Sequence, residues 1–230
     1  MNPKSGSLFH FKEKREHLLD VLQFGFWPRY CVEDIQWLDY SFTGRAFPMV
    51  CFCEIPFNRM STHLKNYGRY GIGVKRSWAE SNSINPVQYV VPNSSVADIM
   101  KELKSNGSFA QLQQLAAYCK PVRGKMPRFK KEVDFYQESE WRYVASSPFA
   151  ESSLGEDQYN DISKLEKHNQ KSKRVNSLEI TPEDIEFILV AEDADIPFFF
   201  DELQKQYSST TNFPVLASKI TTVKRLMENV

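Results

Sequence analysis

The sequence predicts an α+β fold in which a mixed or antiparallel sheet is flanked by helices. Short apolar runs that are typical of strands alternate irregularly with segments whose apolar residues repeat at helical spacing. No internal repeat is present, and 230 residues suit a single domain over the whole chain, because single cores tend to divide only beyond roughly 250 residues.

Five elements are predicted in the first third of the chain. Residues 8–11 form a short apolar strand, and residues 18–22 repeat leucine and valine at helical spacing before a glycine that fits the position just past a helix end. The continuous apolar run 46–53 is typical of a fully buried strand. Residues 60–67 carry core-type side chains along one helical face, and residues 70–74 alternate as a strand.

The rest of the chain has a less regular pattern. Residues 87–91 and 141–144 are predicted strands, and residues 95–103 and 108–119 are predicted helices. Further on, a Thr-Pro-Glu-Asp string that is typical of a helix start leads into a predicted strand at 187–190. A phenylalanine-rich helix and a closing strand and helix follow.

Two segments are predicted to lack regular structure. Residues 120–131 carry six cations among two prolines and a glycine, which favours a basic loop that binds a phosphate backbone, binds an acidic partner protein or is simply solvated. Residues 146–177 are polar and almost devoid of aliphatic side chains. We expect a mobile excursion there, because such a segment has little to bury against the entropic cost of ordering.

Composition limits the classes of function. The 29 Lys and Arg residues balance the 29 Asp and Glu residues, so any attraction to nucleic acid must come from a local patch. No apolar run approaches the roughly 20 residues that span a bilayer, and the polar start lacks the apolar core of a signal peptide. We therefore expect a soluble, cytoplasmic protein that does not associate with membranes.

The four cysteines do not indicate a metal site. Cys51 and Cys53 alternate along a predicted strand, whereas Cys31 and Cys119 stand apart. A zinc tetrahedron needs a second pair of ligands, which four scattered histidines do not supply. We expect Cys51 and Cys53 to be buried thiols with neither metal nor disulfide.

Five short strings, taken together and in order, resemble one protein family. They are LFHF at 8–11, GFWPRYC at 25–31, FPMVCFCEIP at 47–56, YGRYGIG at 67–73 and EWRY at 140–143. As a set they are similar to the AbiGi family of abortive-infection proteins, which act in bacterial phage defence. The resemblance implies a component of a two-gene system, in which the AbiGi-type protein is the antitoxin of a nucleotidyltransferase-like toxin.

A second resemblance concerns chemistry. A first strand with a histidine, a helix ended by glycine and a later strand preceded by glutamate are similar to the arrangement of ADP-ribosyltransferases. This resemblance implies that His10 and either Tyr67 or Tyr70 hold NAD, and that Glu140 is the catalytic carboxylate that stabilises an oxocarbenium-like transition state. NAD would be a substrate, and no cofactor would be bound permanently.

Each of these residues also has a purely structural interpretation. His10 in an apolar strand is typical of a core histidine, and Tyr70 beside two glycines suits either tight packing or ligand binding. Glu140 and Arg142 flank Trp141 and therefore share one strand face. They form either a surface ion pair or a site in which Arg142 binds phosphate and a half-exposed Glu140 binds the sugar.

Two functions from different classes remain open. One is an ADP-ribosyltransferase-like enzyme, in which His10, Tyr70, Glu140 and Arg142 converge on one cleft and exchange of Glu140 for Gln leaves folding intact. The other is a non-catalytic antitoxin that neutralises a partner toxin by binding. Arg29 is either an anion-binding residue or part of a solvated turn.

Overall fold

The computed structural model describes residues 6–38, 44–105, 109–125, 132–207 and 212–228. The strands within these residues are β1 (Ser7–Lys12), β2 (Arg29–Glu33), β3 (Arg45–Cys53), β4 (Tyr70–Lys75), β5 (Asn85–Pro86), β6 (Gln88–Val90), β7 (Cys119–Pro121), β8 (Arg123–Lys125), β9 (Glu132–Asp134), β10 (Glu140–Val144), β11 (Ile185–Val190) and β12 (Ile220–Thr222). The α-helices are α1 (Arg15–Phe24), α2 (Ser61–Tyr67), α3 (Arg76–Ser81), α4 (Ser95–Ser105), α5 (Phe109–Ala116), α6 (Glu156–Tyr159), α7 (Ile162–Asn176), α8 (Ile196–Tyr207), α9 (Asn212–Ala217) and α10 (Val223–Glu228).

The chain divides into two units. The terminal unit contains both chain ends and is assembled from residues 1–26, 52–83 and 178–230. The central unit is assembled from residues 27–51 and 84–177. The strand β3 contributes residues to both units, because the boundary between residues 51 and 52 falls within it.

The terminal unit is built on a mixed sheet. β1 pairs antiparallel with β4 along its whole length, with Lys12 opposite Tyr70. β4 pairs antiparallel with β11, β11 runs parallel to β12, and Cys53 at the end of β3 pairs with Phe9. The predicted α+β class, with a mixed sheet and flanking helices, is confirmed.

Aromatic rings fill one side of this sheet. Phe9 and Phe11 of β1 lie 6.2 Å apart between ring centres, and Phe187 of β11 packs 5.8 Å from Phe9. A side chain in place of Gly71 would begin 2.7 Å from the ring of Phe11, and one in place of Gly73 would begin 2.7 Å from the ring of Phe9. The glycines of β4 therefore make room for core aromatics, which is one of the two uses that their position in a strand predicts.

The central unit contains smaller groups of strands. β2 pairs antiparallel with β3, whose other neighbour β10 pairs with β5. β6 runs parallel to β7, and β8 pairs antiparallel with β9. α4 and α5 contribute Met100 and Leu112 to an apolar core that also contains Phe47 and Met49 of β3.

The Thr-Pro-Glu-Asp string at 181–184 does not begin a helix, contrary to prediction. The carboxylate of Asp184 accepts hydrogen bonds from the backbone N–H and the hydroxyl of Thr181, at 3.0 and 2.6 Å. This closes a turn that leads directly into β11. Side-chain bonding to a nearby backbone N–H caps helices and closes turns alike, so the local pattern could not distinguish the two.

The first half of the predicted basic loop is regular structure. Lys120 lies in β7 and is 9% exposed, and β8 follows at residues 123–125. The prediction of a loop is therefore wrong for residues 120–125. Residues 126–131, which hold three of the six cations, lie outside the described residues.

The polar segment 146–177 contains α7, a helix of 15 residues. Asp161 caps its first turn, and its inner face buries Asn169, Ser172 and Asn176. The side-chain oxygen of Asn169 accepts a hydrogen bond of 2.9 Å from the backbone N–H of Tyr30 in β2. The expectation that this segment has little to bury is therefore wrong, because buried polar side chains dock this helix, whereas its mobility stays a prediction.

Asn169→Ala should lower the free energy of unfolding by about 1 to 3 kcal/mol, because it leaves the buried N–H of Tyr30 without an acceptor. The neighbouring exposed change Gln170→Ala should stay within about 0.5 kcal/mol of the unmodified protein. Urea denaturation of both variants measures the difference. Equal losses would show that α7 does not depend on this hydrogen bond.

Candidate functional site

β10 carries the two charged residues that the sequence singles out, and both are buried. Arg142 is 0% exposed and Glu140 is 7% exposed, while Trp141 between them is also buried. Because consecutive strand residues point to opposite faces, both faces of β10 are covered. The predicted surface ion pair and the predicted half-exposure of Glu140 are therefore wrong, whereas the binding roles of the two residues stay predictions.

Glu140 and Arg142 belong to a buried ion network with Glu33, Lys120 and Glu138. Nε of Arg142 donates to Oε1 of Glu140 at 2.8 Å, and Nη2 of Arg142 donates to Oε1 of Glu33 at 2.8 Å. Nζ of Lys120 lies 2.7 Å from Oε2 of Glu140 and 3.1 Å from Oε2 of Glu138. Two cations thus lie among three carboxylates in the central unit.

The guanidinium of Arg142 also binds the backbone. Its Nη1 donates to the carbonyl oxygen of Ala117, just beyond the end of α5, at 2.7 Å. With the bond to Glu33, Arg142 joins β10 to β2 and to the segment that follows α5. The planar guanidinium suits this position because it offers several donors in fixed directions.

Burial and charge act in opposite directions on the network. Burial favours the neutral form of Glu140, but the charges of Arg142 and Lys120 prevail and hold its pKa well below its usual value. Burial likewise opposes the charge on Lys120, but Glu140 and Glu33 raise its pKa well above its usual value. Glu140, Lys120 and Arg142 are therefore ionised at neutral pH.

The hydrogen bonds of Glu140 limit what it can do chemically. Its Oε1 accepts from Arg142, and its Oε2 accepts from Arg142 at 3.2 Å and lies 2.7 Å from Lys120. A carboxylate that stabilises a developing positive charge on a substrate must face that substrate. Glu140 faces two cations of its own chain, which is the arrangement of a structural ion pair.

Three members of the network are not predicted from the sequence. Glu138 stands two residues before Glu140, and charged residues at 138, 140 and 142 form an alternating pattern that could have included it. Glu33 and Lys120 come from distant stretches of chain. No local pattern links them to Arg142.

A pair of thiols lies beside the network. A hydrogen bond between Cys31 and Cys51, together with desolvation, holds the pKa of Cys51 well above its usual value. Cys53 is buried as predicted, whereas Cys51 is only half-buried.

His10 and Tyr70 share one face of the sheet in the terminal unit. Lys12 lies opposite Tyr70 and His10 lies opposite Ile72, so His10 and Tyr70 are diagonal neighbours on adjacent strands. The half-buried ring of His10 packs edge-on against Phe26, with 5.3 Å between ring centres.

The two candidate tyrosines lie on opposite faces of that sheet. The hydroxyl of Tyr70 donates to Oδ2 of Asp195 at 3.2 Å, and burial, followed by the charge of Asp195, raises the pKa of Tyr70. Tyr67 packs with the core of Phe9 and Phe11, whose side chains alternate with that of His10 along β1. Tyr70, rather than Tyr67, therefore shares a face with His10.

The predicted site residues are divided between the units. His10, Tyr67 and Tyr70 belong to the terminal unit, whereas Glu140 and Arg142 belong to the central unit. Their predicted convergence on one cleft stays a prediction.

Arg29 lies in β2 of the central unit rather than in a turn. It is exposed, and its guanidinium carbon lies 4.4 Å from the ring centre of Trp27. The solvated turn is therefore wrong, and an anion-binding role for Arg29 stays open.

An exposed apolar stripe runs along α4. Val96, Ile99 and Leu103 are 54%, 58% and 37% exposed, and their spacing places them on one side of the helix. The adjacent side of α4 buries Ala97 and Met100 in the core of the central unit. The apolar surface of α4 therefore extends beyond what its own core covers.

Other kinds of site are limited by what the described residues offer. A shallow pocket in the terminal unit is lined by Gln23, Phe24, Glu202, Lys205 and Gln206, none of which is a predicted site residue. Within the described ranges, no group of three or more His, Cys, Asp or Glu residues is placed to hold a metal ion. No helix in that part of the chain is long and apolar enough to cross a membrane.

Comparison with known proteins identifies relatives over most of the chain. A family model described as "Putative abortive phage resistance protein AbiGi, antitoxin" matches residues 25–191. A protein of Lactococcus lactis subsp. cremoris, "Abortive phage resistance protein AbiGi", is 30% identical over 152 residues. That match covers 52% of this chain and 61% of the relative, so the chain spans less than two thirds of the relative's length. No solved structure matches.

Glu140→Gln should destabilise the protein by about 3 to 5 kcal/mol, because it removes the carboxylate that lies 2.8 Å from Arg142 and 2.7 Å from Lys120, and both of these cations are buried. This reverses the expectation that folding would survive the change. The matched change at an exposed carboxylate, Glu132→Gln, should cost less than about 0.5 kcal/mol. Chemical denaturation measures both, and a Glu140→Gln variant as stable as Glu132→Gln would contradict the structural role.

The pH dependence of the free energy of unfolding measures how much the charge of Glu140, as distinct from the packing of its side chain, stabilises the protein. The pKa of Glu140 is lowered in the folded state from its ordinary value of 4.5. Below pH 4.5 the carboxyl of Glu140 is protonated in the unfolded chain but stays ionised in the folded chain. The stabilisation that its charge provides is therefore present above pH 4.5 and is lost as the pH falls. Between about pH 3 and 4 the free energy of unfolding should fall less steeply in Glu140→Gln than in the unmodified protein, by up to about 1.4 kcal/mol per pH unit.

Proposed function

The chain belongs to the AbiGi family of abortive phage resistance proteins, and from that premise we propose that it is an antitoxin that neutralises a partner toxin by binding. The partner is the product of a neighbouring gene, a nucleotidyltransferase-like protein of the kind that the family resemblance implies. The protein then acts in bacterial phage defence as the restraining half of a two-gene system. Its task is recognition rather than catalysis.

The observation that carries this proposal is the apolar stripe on α4. Three large apolar side chains on one side of a helix, each more than a third exposed, leave a surface that gains free energy when a partner covers it. Spacing of i, i+3 and i+7 is that of a helix that lies in an apolar groove of another protein. Asp98 and Glu102 are exposed on the same helix and supply a polar rim.

The occupant that we propose is an apolar groove of the toxin. Burying most of the exposed surface of Val96, Ile99 and Leu103 contributes roughly 1 to 2 kcal/mol for each side chain. That is enough for these three residues to act as anchors of an interface, provided that the surrounding polar groups stay hydrated or find partners.

The chemistry of β10 supports a binding role. An enzyme of the ADP-ribosyltransferase type would need Glu140 to be free to approach a ribose hydroxyl of NAD. In this chain both oxygens of Glu140 interact with Arg142 and Lys120, and 7% of the residue is exposed. Releasing it would break a buried ion pair, which costs several kcal/mol.

A second candidate function remains the NAD-dependent one, and one observation favours it. His10 and Tyr70 are diagonal neighbours on one face of the sheet, as two residues that hold one ligand would be. NAD would then be a substrate, and Arg142 and Arg29 would be candidate ligands of its phosphates. The guanidinium of Arg142, however, already binds two carboxylates and a backbone carbonyl oxygen.

Val96→Gln together with Ile99→Gln should weaken toxin binding by at least about tenfold and abolish rescue of growth when toxin and antitoxin are expressed together. Gln maintains the helix and removes only the apolar surface, so the variant should remain folded. The matched control is Ile162→Gln, since Ile162 is 83% exposed on α7. Growth curves and titration calorimetry with purified toxin provide the measurements.

Two results would refute the proposal. One is growth arrest when this chain is expressed alone, which would make it the toxin. The other is a double variant of Val96 and Ile99 that still neutralises the toxin but no longer associates with itself. That result would mean that the stripe binds a second copy of this chain.

Tyr70→Phe and His10→Ala should leave toxin neutralisation intact if binding is the function, because neither residue lies on α4. Incubation of the unmodified protein with labelled NAD should then transfer no label to the toxin. If label is transferred, and if both variants abolish transfer and phage protection together, the transferase function replaces the antitoxin proposal. Thermal denaturation of the two variants provides the folding control.

A further inference from the structure

The helix α7 concentrates positive charge in a chain whose charges balance overall. It contains five cations and one carboxylate, whereas the whole chain has 29 of each sign. The cations are Lys164, Lys167, Lys171, Lys173 and Arg174, and each of them is exposed. The proposed binding of a toxin through α4 does not use this surface.

Three of these cations form a line. Lys167, Lys171 and Arg174 follow i, i+4 and i+7 spacing and lie on one side of α7. At a rise of about 1.5 Å per residue, they are separated by about 6 and 4.5 Å along the helix axis. In the part of the chain that the structure describes, none of the three pairs with a carboxylate, so their charge is available to a ligand.

The orientation of this line is fixed from the opposite side of the helix. Asn169, Ser172 and Asn176 are buried, and Asn169 is bonded to the backbone of Tyr30. The cations therefore face outward on a docked helix. The helix dipole explains only part of the positive charge of α7. Just two of the five cations lie in the last turn, where a cation interacts favourably with the negative end of the dipole.

A second feature brings further cations to the edge of the same helix. Nζ of Lys173 lies 5.1 Å from the ring centre of Trp27, and the guanidinium of Arg29 lies 4.4 Å from that centre. Trp27 is half-buried and attracts both cations by its ring electrons. It thus brings an exposed residue of β2 towards α7.

We propose that this basic surface, formed by Arg29, Lys167, Lys171, Lys173 and Arg174, binds the phosphate backbone of a nucleic acid. Lys120 is buried in the ion network and cannot contact a nucleic acid, whereas a nucleic-acid contact of the other cations in 120–131 stays a prediction. The inference is independent of toxin binding, which we assign to a different helix.

The chemistry of the surface favours a phosphate backbone over an acidic protein. Regularly spaced cations on a rigid helix suit the regularly spaced charges of a phosphodiester chain. A protein interface needs apolar or aromatic anchors at its centre. Beside the line lie the polar side chains of Ser163 and Gln170 and one apolar side chain, Val175, which is 41% exposed. The ring of Trp27 already holds two cations and is not free to stack on a base. Binding should therefore depend little on sequence.

Fluorescence anisotropy of the full chain tests the proposal, with labelled strands of about 20 nucleotides as single-stranded RNA, single-stranded DNA and duplex DNA. The test variant combines Lys167→Gln, Lys171→Gln and Arg174→Gln. The control variant removes the same charge from three exposed lysines of the terminal unit, by Lys14→Gln, Lys65→Gln and Lys224→Gln. Circular dichroism verifies that both variants are folded.

We expect at least one of the three probes to bind, and the test variant to bind it at least about tenfold more weakly at low salt. The slope of log affinity against log salt should fall by about 2 for a single strand, because each phosphate contact contributes about 0.7. The control should keep its affinity within about twofold. The probe bound most tightly identifies RNA or DNA as the ligand.

Three outcomes would overturn the proposal. They are the absence of binding to all three probes at low salt, an equal loss in the test and control variants, and displacement of the probe by polyglutamate as efficiently, charge for charge, as by unlabelled nucleic acid. The last would assign the surface to an acidic protein. The toxin-neutralisation assay distinguishes failure here from failure of the antitoxin proposal, because the test variant leaves α4 unchanged.

Discussion

The central unit depends on one buried guanidinium. Arg142 is removed from water, and every hydrogen bond it makes replaces hydration that it has lost. Glu140, Glu33 and the carbonyl oxygen of Ala117 provide those replacements from three separate stretches of chain. Such a network is stable only when it is complete, because a partial network leaves a charge buried without compensation.

Both proposed surfaces depend on elements that Arg142 joins. The segment after α5 lies at the Ala117 contact, and α5 packs beside α4, which carries the apolar stripe. β2 lies at the Glu33 contact, and α7 docks on β2 through Asn169. A change in the ion network is therefore expected to disturb a protein-binding and a nucleic-acid-binding surface together, although it touches neither.

The sequence predicted elements well wherever apolar periodicity carried the signal. β1, β3, β4 and α2 lie at the predicted positions, because their cores are made of aliphatic and aromatic side chains whose spacing reveals the buried face. The prediction failed where polar groups hold the fold. α7 is docked by Asn169 and other polar residues, so its inner face looks like a solvated segment in the sequence.

The candidate site shows the same limit. The alternation of Glu140 and Arg142 correctly indicated a shared strand face, but nothing nearby in the sequence indicated that Lys120 and Glu33 would enclose them. Whether a charged residue is a surface group, a catalytic group or a buried structural pair is decided by partners far along the chain. The family relationship could be recognised from short strings, since these record ancestry rather than burial.

The division of the chain has a consequence for biosynthesis. The terminal unit is assembled from three stretches, and the last of these starts at residue 178, whereas the central unit ends at residue 177. A ribosome therefore synthesises every residue of the central unit before it synthesises the strands β11 and β12. During that interval β1 and β4 have emerged without the neighbour that covers the free edge of β4, and an uncovered strand edge can pair with another chain. A nascent polypeptide of this protein is thus most open to wrong association late in translation, before β11 has paired with β4.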